Sequence, residues 1–119
     1  MAYRLFISQP MRGLSIEQIK SDRERGLEYF KSIIRSTDYF KLKGITEDTI
    51  EVIDNLQEDA PEDYIATDYL SNDIKLLGRA DGVLFLRGWR DARGCEVEYL
   101  VSKYYVQSYA DGKHIFFEP

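Results

Sequence analysis

Two short apolar runs, each stopped abruptly and each followed by a segment of helical periodicity, constrain this chain more than any other feature. The first spans residues 3–8 and ends at Gln9-Pro10, where proline cannot continue a strand ladder. The second, Val83-Leu84-Phe85-Leu86, is apolar at every position, as a central parallel strand covered on both faces must be. A third candidate strand, residues 49–54, is rich in β-branched residues and ends at Asn55, and residues 114–117 close the chain as a fourth.

Helical patterns separate these strands. Ser15 is placed to cap the first helix, with Gln18 at the partner position of a capping box. Ile16, Ile19, Leu27, Phe30, Ile33 and Ile34 then recur at helical spacing and are expected to face the sheet. Gly26 weakens that helix slightly. Residues 35–48 show no clean period and read as a connection carrying an extra turn at most. Leu70, Ile74 and Leu77 mark a second helix over residues 67–79, and Asp81-Gly82 a turn after it. A third helix is expected from Cys95 to about Tyr109, with Val97, Leu100, Val101 and Tyr104 facing inward.

Strand and helix alternation requires crossover connections and hence a parallel sheet. The expected fold is a small α/β, Rossmann-like or flavodoxin-like three-layer sandwich with four to five parallel strands in the order 2-1-3-4. At 119 residues one domain covering the whole chain is expected, with apolar residues at 44% and charged residues at 31%, the range of ordinary globular proteins. In that order the topology reverses between the first and third strands, which opens a crevice at their carboxyl ends. Two loops meet there, and they supply the candidate ligand-binding residues: Ser8, Gln9, Pro10, Met11, Arg12 and Gly13 from one, Gly88, Trp89, Asp91, Arg93 and Gly94 from the other.

The glycines permit close backbone approach, the arginines supply fork-shaped cations, and each loop leads into a helix N-terminus that favours an anion. The same residues also build ordinary surface turns. Net charge is −5, with acidic residues concentrated over residues 47–73, so duplex nucleic acid is not an expected partner. Cys95 is the only cysteine and His114 the only histidine, which excludes an internal disulfide and leaves no metal site or metal cofactor to expect. The N-terminus lacks a long apolar stretch, so no membrane association and a cytoplasmic location are expected.

Glu98 falls about one turn into the third helix, beside the crevice. A glutamate there has a reference pKa of about 4.3, and the helix dipole lowers it, so an ionised carboxylate suited to nucleophilic rather than acid chemistry is expected. Glu96 points about 200° away around the helix, so only one of the two faces the crevice easily. Both glutamates can equally be surface charges matched to the dipole.

These residues carry a family resemblance. Phe6 to Gly13 (FISQPMRG), Asp73, Ala80-Asp81 and Gly88 to Glu98 (GWRDARGCEVE) resemble the nucleoside 2-deoxyribosyltransferase superfamily, and more narrowly a small, often phage-associated branch of it. The resemblance covers nearly the whole chain except residues 35–48. It implies cleavage of the N-glycosidic bond of a deoxynucleoside or nucleoside monophosphate, with the sugar passed to another base or to water; related enzymes include deoxynucleoside monophosphate N-glycosidases and hydroxymethyl-cytidylate hydrolases. It implies that Glu98, four residues after Gly94, is the nucleophile, that Ser8, Arg12 and Gly13 hold the sugar or its phosphate, and that Asp73 assists with the base or its proton. No cofactor and a homodimer or higher homo-oligomer are implied, and the tyrosines Tyr99, Tyr104, Tyr105 and Tyr109 are compatible with an interface on the third helix.

One departure stands out. The family often carries Asp or Ser six residues before the nucleophile, where this chain has Ala92, with Asp91 one position earlier. Trp89 is placed to stack on a base or to pack as a lid, and Tyr3 to cover the sugar or to pack in the core. A nucleotide-binding module without turnover therefore stays open beside the enzyme, as does a flavodoxin-like electron carrier, which a colourless purified sample would dismiss.

Overall fold

The computed structural model describes residues 2–108 and 110–119. Among them the chain forms a four-stranded, all-parallel sheet in the order β2-β1-β3-β4, from β1 (Tyr3–Ser8), β2 (Ile50–Val52), β3 (Gly82–Phe85) and β4 (His114–Phe117). The expected strand order and α/β class are observed. β2 is shorter than residues 49–54 suggest: Glu47–Thr49 form a 3-10 turn, capped reciprocally through the Thr46 and Thr49 side chains. Gly82 opens β3 rather than turning the chain, and it is needed there because a Cβ would meet the Tyr3 hydroxyl at 2.2 Å.

Period-two alternation in the two central strands divides the core. Tyr3, Leu5 and Ile7 of β1, with Leu84 and the following Leu86, pack on Phe30 and Ile34 of α1 (Ile16–Ser36) and Phe40 of α2 (Asp38–Leu42). Phe6 of β1, with Val83 and Phe85 of β3, packs on Leu77 of α3 (Ala66–Leu77) and on Val106. That second layer is completed by α4 (Arg93–Val101), which widens into one π turn over Ser102–Val106. Tyr3 is buried at the amino end of β1 among Phe30 and Phe40, at the opposite end of the sheet from the strand carboxyl ends, so it packs the core rather than covering a ligand.

Three helix expectations need correction. The unperiodic stretch holds the short helix α2, whose single buried residue, Phe40, plugs the first core layer. Ser15 caps α1 by accepting from the Gln18 N–H, but the Gln18 side chain turns to Asp22 instead of back to the cap, and Ile16 is exposed. In α4 only Val101 of the expected inward residues packs on the second core layer, where it is partly buried. Cys95, Glu98 and Ser102 are buried at i, i+3, i+7 spacing, while Val97, Leu100 and Tyr104 are exposed. Tyr109 lies outside the described residues.

Gly26 has a packing reason that its helix position alone does not reveal. A Cβ there would lie 2.3 Å from Leu86 Cδ2, so the glycine lets α1 close onto the residue that follows β3. Gly26→Ala gains about 1 kcal/mol of helix propensity but overpacks a buried leucine, which costs about 1–3 kcal/mol. The expected outcome is a lower melting temperature for Gly26→Ala, partly recovered in Gly26→Ala/Leu86→Val; a higher melting temperature for the single variant would contradict it.

Candidate functional site

Because β1 and β3 are adjacent while their connections leave on opposite faces, the loops after them diverge and leave a cleft of about 450 Å³. Gln9, Pro10, Met11 and Arg12 line one wall, and Gly88, Asp91, Ala92, Arg93 and Gly94 the other. Asn55, Asp73, Cys95 and Glu98 complete it. Of the residues singled out from sequence, Gly13 and Trp89 do not line the cleft and Ser8 acts behind it.

Each wall is held by side chains of its own. Arg23 of α1 donates to Gln9 Oε1 at 3.0 Å, to the Ile53 carbonyl at 2.8 Å and to Asn55 Oδ1 at 2.7 Å, joining the ends of β1 and β2. Gln9 Nε2 in turn donates to the Ile19 carbonyl, and Asn55 Nδ2 to the Ile7 carbonyl. The side-chain amide of Gln9 is thus engaged at both ends. On the other wall, the buried Glu118 carboxylate accepts from Arg25 at 2.7 and 2.9 Å and from the Arg87 N–H at 3.0 Å, which anchors the loop to α1. Those bonds from Arg25 hold the Glu118 carboxyl below the usual carboxylate range.

Trp89 anchors the same loop from below. Its ring packs on Phe85, Tyr99 and Phe117 at centroid separations of 5.2, 4.9 and 5.5 Å, and Arg90 covers it at 5.1 Å. Gly88, at φ 86°, makes the turn that tucks this ring under the loop. Arg12 and Arg93, by contrast, are exposed at the cleft and form no ion pair among the described residues.

The cleft floor is a carboxyl pair. Glu98 is only 5% exposed, and Ser8 Oγ donates to its Oε1 at 2.6 Å. Its carboxyl shares a hydrogen bond with Asp73 of α3, whose Oδ1 also accepts from Gln57 Nε2 at 2.8 Å. Burial raises the Glu98 pKa to about 8, with the Asp73 charge acting in the same direction and Ser8 against it. Burial raises Asp73 as well, opposed by the bonds from Glu98 and Gln57 and by the Arg23 charge. The expectation of an ionised Glu98 is therefore corrected. A dipole contribution of about 0.3–1 kcal/mol is outweighed by several kcal/mol of desolvation for a buried ion.

Cys95 sits beside Ser8, and burial pushes its thiol up to about 11, so it is un-ionised at neutral pH. Sequence reasoning passed over Cys95, Asn55, Gln57 and Arg23. Asn55 had a signal, because it closes a strand at the carboxyl end of a parallel sheet; Arg23, in mid-helix, and Gln57, at φ 55°, had none. No group of His, Cys, Asp and Glu among the described residues is arranged to hold a metal ion, and none of their helices is long and apolar enough to cross a membrane. The chain matches no family model, no curated protein and no solved structure.

A carboxyl whose pKa is higher in the folded than in the unfolded chain binds its proton more tightly when folded. Its stabilising contribution is complete below the unfolded value and declines as pH rises toward about 8. Glutamine at this position keeps both bonds, accepting from Ser8 and donating to Asp73, without that loss. The melting temperature of Glu98→Gln is expected to gain on the wild type as pH rises from about 5 to 8.5, by about 4 °C or more. A difference that stays constant across this range would contradict the raised pKa.

Proposed function

We propose that this chain cleaves or transfers at the N-glycosidic bond of a deoxynucleoside monophosphate or nucleoside through Glu98 as nucleophile. The observation that carries the reading is the Glu98 carboxyl itself: almost wholly buried, fixed by Ser8, and facing a nucleotide-sized cleft beside a second carboxyl. A buried, oriented carboxylate stabilises positive charge developing on a sugar carbon and can capture it covalently, and the second carboxyl supplies the departing base with a proton. Displacement followed by attack of water or another base on the same face retains the anomeric configuration. The cations at the mouth, Arg12 and Arg93, favour a substrate bearing a 5′-phosphate.

This reading agrees with the resemblance to the nucleoside 2-deoxyribosyltransferase superfamily, which rests on the sequence alone. Incubation with a panel of deoxynucleoside monophosphates and the matching nucleosides is expected to release free base, monophosphates reacting faster. Glu98→Gln is expected to lower release at least about a thousandfold. A specific feature favours a second reading, a nucleotide-binding module: Ala92 lines the cleft where the family often carries an acid or a serine. Binding of the monophosphates without release of base from any of them would select the module and end the enzymatic reading.

The outward face of α4 supports self-association. Leu100, Tyr104 and Tyr105 are 51%, 68% and 86% exposed, and with Val97 they leave apolar surface that neither core layer covers. A homodimer or larger homo-oligomer is expected from light scattering in solution, and Leu100→Glu is expected to shift it toward the monomer mass. A monomeric wild type at micromolar concentration would overturn this.

A further inference from the structure

We propose that Gln57, which lies outside the cleft, is a positioning residue that holds the Asp73 carboxyl toward it. Its effect on turnover rests on the glycosidic-bond reading, whereas the placement of Asp73 does not. Four hydrogen bonds and one backbone angle carry the proposal. The Gln57 side-chain nitrogen donates to the Tyr69 carbonyl at 3.0 Å and to Asp73 Oδ1 at 2.8 Å. Its oxygen accepts from Asn72 Nδ2 at 3.2 Å, and the same Asn72 nitrogen donates to the Tyr64 hydroxyl at 2.9 Å. Tyr69, Asn72 and Asp73 stand at i, i+3 and i+4 on α3, so one amide grips one face of that helix. A backbone carbonyl cannot donate, so the nitrogen must face Tyr69, and its second hydrogen is then left for Asp73.

The backbone of Gln57 is held against its local preference. Its φ is 55°, and among the described residues it is the one non-glycine residue at positive φ. That angle leads the chain after β2 into a turn over residues 57–60, closed by the Ala60 N–H on the Gln57 carbonyl at 3.1 Å. Glycine or asparagine takes the left-handed region with little strain, and glutamine does not. A turn alone would therefore call for one of those two. What glutamine adds is reach, since the asparagine amide sits one methylene closer to the backbone and cannot span to α3. Strain kept at one residue beside a site marks a residue whose placement the site uses.

Gln57 faces a separate cavity of about 470 Å³, which it lines with Tyr64 and Asn72, and it does not line the cleft. It therefore acts on a ligand in the cleft through Asp73. Asp73 is half-buried, and its side chain turns about χ1 among staggered positions, so a fixed donor is needed to hold the carboxyl in one of them. Ser8 supplies that donor for Glu98, and Gln57 supplies it for Asp73. Each floor carboxyl is thus set by a neutral donor from the carboxyl end of a strand, Ser8 from β1 and Gln57 from the loop after β2.

Gln57→Asn and Gln57→Gly both suit the positive φ, and both lose the bond to Asp73. Each is expected to melt within about 5 °C of the wild type. Each is expected to lower kcat for base release from a deoxynucleoside monophosphate about 10-fold or more, with KM changed less than about threefold because the arginines at the mouth are untouched. In an Asp73→Asn background the same substitutions are expected to cost no more than about twofold, since the group they act through is gone. Independently of turnover, NMR three-bond couplings from Asp73 Cγ to its backbone nitrogen and carbonyl carbon are expected to report one χ1 rotamer in the wild type and averaging in both variants. Couplings already averaged in the wild type, or unchanged in both variants, would overturn the positioning. So would wild-type kcat in both variants, or a loss of full size in the Asp73→Asn background. Couplings as expected, with no base released from any monophosphate by the wild type, would overturn the glycosidic reading and leave Gln57 as the positioner of Asp73 in a binding module.

Discussion

Ser8 is the last residue of β1 and pairs with Phe85, the last of β3, so the two central strands end at the same height and the Leu86 N–H closes the ladder onto the Ser8 carbonyl at 2.9 Å. Side chains alternate along a strand, so this register also fixes direction. Ser8 shares the face of Phe6, toward α3 and α4, and its hydroxyl meets Glu98 there. A slip of one residue would aim that hydroxyl at α1 and bring Ile7 against the carboxyl. The apolar sequence of both strands, buried on two faces, makes such a slip costly, so the hydrogen bond at the cleft floor is secured by the packing of the sheet beneath it.

The polar groups near the cleft then divide into those held by the protein and those left to a ligand. Gln9, Asn55, Arg23, Gln57 and Glu118 are all bonded within the chain and define walls. Arg12 and Arg93 stay exposed, and Glu98 and Asp73 bond mainly to each other and to single donors. Walls tied by internal bonds around a cleft with exposed arginines and an oriented carboxyl are the arrangement that lets a site act on a ligand without first reorganising.

Strand order and the position of the cleft were legible because both follow from strong signals: wholly apolar runs, a proline stop, and the need for crossovers between parallel strands. α2 was not legible, since its one inward residue, Phe40, sets up no period. The orientation of α4 misled for a more instructive reason. Its apolar residues Val97, Leu100 and Tyr104 and its buried residues Cys95, Glu98 and Ser102 are both spaced as one helical face, and apolarity selects the first. The sheet instead takes the polar face, because Ser8, Asp73 and Ser102 satisfy it: the Ser102 hydroxyl donates to the Glu98 carbonyl at 2.7 Å. A reading that equates apolar with inward fails where a fold buries its chemistry. Trp89 escaped in the same way, since sequence marks it as a loop residue but cannot show that the loop folds back over Phe85 and Phe117.

Charges at the cleft are divided between its mouth and its floor. Net charge is −5; the mouth carries Arg12 and Arg93, which form no ion pair among the described residues, together with Asp91, and the floor carries two carboxyls. Were both carboxyls ionised, an approaching phosphate would meet two fixed negative charges a short way behind the arginines, in a region too poorly hydrated to screen them. Burial raises both groups, so the floor carries less than two full charges near neutral pH, and the Arg23 guanidinium favours the anion on Asp73. A floor that holds less than two charges eases the entry of an anion past the arginines, and this follows from burying two acids together where desolvation opposes their ionisation.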